Sequence, residues 1–193
     1  GETTAKMALP ILATMFILAV TPQPGLTVLA QAATASATNV AVEVVVVEEV
    51  DEVADEAALL LELFKSEVNI TNSIGMVMIH VPGGYRVAEF ETTQSQYQAV
   101  MAAAPSKFPG AKRPVEQVSW TEAQAFCHTL TQREQEKGVL PKEFEYTLPT
   151  EKQWESYVAD APISQAIVSY IGDRPWTENV GLLSPNKLGL YDV

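Results

Sequence analysis

The sequence contains one cysteine, Cys127, in 193 residues. A lone thiol excludes an internal disulfide framework and any metal site built from paired cysteines within the chain. Basic residues are also scarce: 12 Lys plus Arg stand against 24 Asp plus Glu, a formal charge of −12. A surface of that sign repels a phosphate backbone, which argues against nucleic acid as a partner. The most apolar stretch, Met7 to Val20, is broken by Pro22, Pro24 and Gly25. It falls short of the roughly 20 residues that a helix needs to cross a bilayer. Apolar residues at 47% and charged residues at 19% are ordinary globular usage, so the chain is neither collagen-like nor disordered throughout.

Lys6 ahead of the Met7–Val20 run, with Ala30-Gln31-Ala32 beyond it, has the three-part layout of a signal peptide over residues 1–32. That layout predicts an exported protein, periplasmic or extracellular, with no stable membrane anchor after cleavage. Export makes Cys127 a candidate for a disulfide to a partner lying elsewhere. The sequence stops at Val193, just after Gly189-Leu190-Tyr191-Asp192, without a polar tail or helix cap, and the chain reads as a fragment.

Residues 33–71 read as a spacer followed by an acidic amphipathic helix. Nine acidic residues and one Lys fall between Ala41 and Val68. Val46, Val50, Val53, Ala57, Leu60 and Phe64 recur every three or four residues, an apolar stripe on a helix with carboxylates opposite. Under three heptads are present, so an amphipathic linker helix resting on its own domain is expected ahead of a short coiled coil or a partner-docking helix, although Val44–Val47 could instead start a strand. Residues before about 70 are expected to add little to the core.

From residue 72 the local signals describe an α+β domain over 72–193. Met76–Val81 is a buried strand, ended by Pro82-Gly83-Gly84, and Tyr85–Phe90 is a second. Thr92 or Thr93 caps a helix running to about Met101. Ser119 and Glu122 form a capping box for a helix from Trp120 towards Lys137, which turns Ala123, Phe126, Cys127 and Leu130 to the core. Thr150 and Gln153 repeat that box for a short helix expected to bury Trp154, with Glu151 and Glu155 at its positive end.

Five residues are expected to be structural: Cys127, Trp120, Trp154, Thr150 and Ser119. The helical, core-facing setting of Cys127 opposes a nucleophilic role. His80 and His128 have no ligand at metal spacing around them. Glu116, Glu122, Glu151 and Glu155 could be read as acid/base carboxylates, but turns and helix starts explain them. Trp120, Trp154 and Trp176 could form a carbohydrate platform, yet core packing is expected of the first two. No catalytic, cofactor-binding or metal residue is assigned.

Several blocks occur in a fixed order: Val77-Met78-Ile79-His80-Val81-Pro82-Gly83-Gly84, Arg113-Pro114-Val115-Glu116-Gln117-Val118-Ser119-Trp120, Ala123-Gln124-Ala125-Phe126-Cys127, Leu148-Pro149-Thr150-Glu151-Lys152-Gln153-Trp154-Glu155 and Gly189-Leu190-Tyr191-Asp192. Together they closely resemble the sulfatase-modifying factor family, the formylglycine-generating enzyme domain. The resemblance implies a compact, loop-rich fold related to C-type lectins. It also implies oxygen-dependent, copper-assisted oxidation of a cysteine in a sulfatase partner to formylglycine, by two cysteines near the end of the domain. Those cysteines, and the block after GLYD that contributes to a structural calcium site, have no counterpart here. Copper and calcium are thus implied only for a complete active member, and this chain alone is expected to be inactive. Typical members also carry a longer stretch where this chain runs from Gly84 to Phe90. The alternative implied by the same scaffold is a non-catalytic module that binds a ligand or a protein.

Overall fold

A computed structural model describes residues 17–23, 52–158 and 177–192. The elements run β1 (Ala19–Pro22), α1 (Glu52–Lys65), β2 (Ile70–Thr71), β3 (Val77–Val81), β4 (Tyr85–Ala88), α2 (Gln94–Met101), α3 (Trp120–Glu136), β5 (Phe144–Thr147) and α4 (Glu151–Val158). This is an α+β fold around one five-stranded sheet of order β2-β3-β4-β1-β5, antiparallel at every pairing.

Local chemistry accounts for most of these elements. The β3–β4 hairpin turns at Pro82-Gly83-Gly84, where Gly83 and Gly84 have φ of +111° and +78°, a region L residues rarely enter. Thr93 caps α2 and Ser119 caps α3, each in a complete capping box with Gln96 and Glu122 respectively. The Thr150 hydroxyl accepts from the Gln153 N–H at 3.2 Å at the head of α4. Gly138, with φ of +69°, follows α3.

Alternation along the strands divides the core in two. Leu18, Val20, Met78, Ala88, Phe144 and Tyr146 point to one face, packed with Phe64 of α1, Tyr97 and Val100 of α2, and Ala123, Phe126, Cys127 and Leu130 of α3. Ile79, Val81, Tyr85 and Val87 point to the other, against Tyr157 and Val158 of α4 and Leu190.

The segment ahead of residue 70 departs from expectation. Leu18, Ala19 and Val20 are fully buried, and Phe64 joins the same cluster with Leu60 and Leu61 packed alongside. Residues before 70 thus contribute to the core rather than leaving it to the rest of the chain. The physical reason is that β1 pairs on both of its edges while α1 lays its apolar side on the sheet. β1 itself lies within the stretch that reads as a leader. The rest of that stretch (1–16 and 24–32), the spacer 33–39, the alternative strand at Val44–Val47 and Trp176 lie outside the described residues.

Candidate binding cleft

Helix α3 presents Trp120, Gln124 and His128 in one i, i+4 row, with Thr121, Cys127 and Thr131 beside it. Facing this row are Glu145, Tyr146 and Thr147 of β5 and the Leu148-Pro149-Thr150 connection into α4. Between them lies a cleft of about 770 Å³.

Hydrogen bonds fix its two walls to each other. The Tyr146 N–H donates to Thr131 Oγ1 at 2.9 Å and Gln135 Nε2 donates to the Phe144 carbonyl at 2.9 Å, so α3 closes the outer edge of β5. Below, the Tyr146 hydroxyl donates to Glu134 Oε2 at 2.6 Å. The other carboxylate oxygen of Glu134 accepts from the N–H of Ser73, at 2.8 Å, and from its hydroxyl. Three donors thus hold a buried carboxylate, and burial, reinforced by Glu134, pushes the Tyr146 phenol well above its usual range.

Cys127 is 4% exposed and free. Burial pushes its thiol up to about 12, against a smaller lowering by a backbone hydrogen bond, and the charge of Glu145 adds to the rise. At neutral pH the sulfur is a protonated thiol rather than a nucleophile.

The two tryptophans correct the sequence reading. Trp120 is 63% exposed and Trp154 is 44% exposed, neither in the core. Trp120 occupies the first position of α3, a turn ahead of the buried Ala123, and its ring lines the cleft instead. On α4 the last turn is the buried one: Tyr157 and Val158 enter the core, leaving Trp154 towards solvent.

The carboxylates take separate places. Glu122 accepts from the Ser119 N–H and hydroxyl at 2.8 and 2.6 Å, and those bonds hold its carboxyl below its usual value. Buried Glu116 accepts from the Phe108 N–H at 2.7 Å, which pins the loop before α3. Glu151 and Glu155 are exposed on α4. The histidines are not brought together: His128 lines the cleft, while His80 lies opposite Arg86 in the β3–β4 register and donates its backbone N–H to Asn69 Oδ1. Glu145, which sequence reasoning missed, is the one carboxylate lining the cleft among the described residues, and none of their Lys or Arg side chains lines it. The i, i+4 row Trp120, Gln124, His128 was a readable signal for that wall.

A family comparison decides the relationship. The sulfatase-modifying factor enzyme 1-like domain family matches residues 63–193. The chain belongs to that family. Among the described residues no group of three His, Cys, Asp or Glu side chains could hold a metal ion. Among curated proteins the chain is similar to the chaperone protein LppX of Paenibacillus barcinonensis, 35% identical over 68 residues. That match covers 35% of this chain and 24% of the relative, so the chain spans about a quarter of that protein's length. No solved structure matches. Among the described residues no helix is long and apolar enough to cross a membrane.

Proposed function

We propose that this chain is the recognition part of a sulfatase-modifying-factor-type protein, and that the α3–β5 cleft holds an extended polypeptide segment carrying a basic side chain. The observation that carries the reading is Trp120, exposed at a cleft that Glu145 lines and that, among the described residues, no Lys or Arg lines. An aromatic face with a carboxylate nearby attracts an ammonium or guanidinium group, by cation–π and charge-assisted hydrogen bonding. Gln124, His128, Thr147 and Thr150 add polar groups that can meet a peptide backbone. The protonated Cys127 supports binding rather than thiolate chemistry at this site.

The family match favours a second reading, in which the whole protein oxidises a sulfatase cysteine to formylglycine and this cleft positions the substrate. Fluorescence anisotropy of labelled cysteine-containing peptides, with Lys, Arg or Gln at one position, tests the first reading. Peptides with Lys or Arg should bind more tightly than the Gln peptide, and Trp120→Ala and Glu145→Gln should remove that preference without lowering the melting temperature. Equal binding of all three peptides would sink it. Conversion of the peptide cysteine, read by mass spectrometry, separates the enzyme from the binding module.

A further inference from the structure

β1 reaches the middle of the sheet from a distant part of the chain, since residues 24–51 separate it from α1. Its neighbours β4 and β5 do not pair with each other; both pair with β1. The register sets Ala19 against Val87 and Thr147, and Val20 against Arg86 and Tyr146. Because the Ala88 N–H donates to the Leu18 carbonyl at 2.8 Å, Leu18 and Val20 turn their backbone groups to β4. Ala19 and Thr21 therefore turn theirs to β5, and Gln23 continues that side by donating its N–H to the Glu143 carbonyl at 2.7 Å.

Pro22 then falls on the β4 side, where the ladder has already ended at the Val20–Arg86 pair. Its missing N–H leaves no acceptor unmet, which is where a strand tolerates proline. The side chains fit as closely as the backbone: Leu18 and Val20 enter the cluster of Phe64, Phe144 and Tyr146, and all of Leu18–Val20 is excluded from water. With α3 closing the outer edge of β5, the inner edge is the one left to receive a strand.

We propose that the groove between β4 and β5 is a strand-acceptor site, and that residues 17–22 are its separable ligand, bound by strand addition whether or not the chain joins them to α1. The ligand it takes is an extended peptide with large apolar side chains at 18 and 20, a small one at 19 and proline at 22. The same residues end the apolar run of the leader-like layout. This inference is independent of the cleft.

The test uses the full chain with a specific protease site placed in the spacer 33–39 and cut after folding. The N-terminal piece should co-elute with the remainder in native size-exclusion chromatography, with the near-ultraviolet spectrum unchanged. A labelled synthetic peptide of residues 17–23 in excess should replace it, while the same peptide with Val20→Asp should bind roughly tenfold more weakly or worse, since it would bury a charge. Loss of the piece with the spectrum retained would show that β4 and β5 need no strand between them. Collapse of the spectrum on cutting would show that β1 is not separable. Equal uptake of the Val20→Asp peptide would show no selective groove. Each of these three results overturns the proposal.

Discussion

The guanidinium of Arg86 donates to the Phe64 carbonyl at 2.8 Å and lies 5.6 Å from the centre of the Phe64 ring. It also donates to the carbonyls of Leu63, Ser66 and Val68 at 3.1, 2.7 and 3.0 Å. One buried cation from β4 therefore gathers the carbonyls of Leu63 and Phe64 in the last turn of α1 and those of Ser66 and Val68 just beyond it. Arg86 is 1% exposed, and burial lowers its pKa from the ordinary arginine value. The charge is held by oxygen dipoles, since no carboxylate bonds to it among the described residues.

Arg86→Met is expected to destabilise the protein by about 1–3 kcal/mol, because it leaves the buried Phe64 carbonyl without its donor, while the part-buried carbonyls of Ser66 and Val68 can turn to water. Arg86→Lys should recover part of that loss, as a point charge cannot reach four carbonyls in a planar fork. Urea melts of both variants check this. Equal stability of Met and Lys at this position would show that the packing of the stem matters and the bonds do not.

The tryptophan exposures reverse the order of substitution costs on α4. Tyr157→Ala should cost about 3–5 kcal/mol, as expected for truncating a buried aromatic, while Trp154→Ala should fall nearer the small effect of a surface change. Tyr157 is 1% exposed, and burial pushes its phenol well above the usual range. Denaturant melts of the two variants, compared at one pH, decide it. A Trp154→Ala cost equal to that of Tyr157→Ala would restore the core role for this tryptophan.

Much of the fold was legible in the residues because the signals were local. The capping boxes at Ser119 and Thr150, the Pro82-Gly83-Gly84 turn and the stripe of Ala123, Phe126, Cys127 and Leu130 each act within a few residues. Failures arose where a contact spans the chain. Nothing near Leu18 announces that its strand will pair with Val87 and Thr147, and nothing in the Thr150 box tells which turn of α4 faces the sheet. The cleft was half legible: the row of Trp120, Gln124 and His128 lies on one helix, but Glu145 joins it only through the packing of α3 on β5.

Cys127 should resist modification in the folded protein. With its pKa raised from 9.0 to about 12, the thiolate fraction at pH 8 falls by about a thousandfold, on top of steric burial. Alkylation at pH 8, followed by intact mass, should be slow under native conditions and complete in urea. Fast native labelling would mean that the α3 stripe opens readily and exposes the sulfur.

Glu91 makes stability depend on pH. Its carboxyl is buried, although part of the residue reaches the surface, and it lies close enough to Asp192 to feel its charge. The surrounding contacts are firm: the Tyr191 N–H donates to the Glu89 carbonyl at 3.0 Å, the rings of Phe90 and Tyr191 are 4.8 Å apart, and Asp192 Oδ2 accepts from the Gly181 N–H at 2.7 Å. Burial first, and Asp192 second, raise Glu91 from 4.5 to about 8. The folded protein therefore keeps a proton there that the unfolded chain has already released. The stability this contributes is full below pH 4.5, declines as the pH rises towards 8 and is gone above it. Glu91→Gln keeps the neutral shape without the titration. The variant should match the parent near pH 4 and exceed it increasingly up to pH 8, in urea melts taken across that range. Because every other titrating group is common to both proteins, a constant difference between the two curves would mean that Glu91 is already ionised in the folded state.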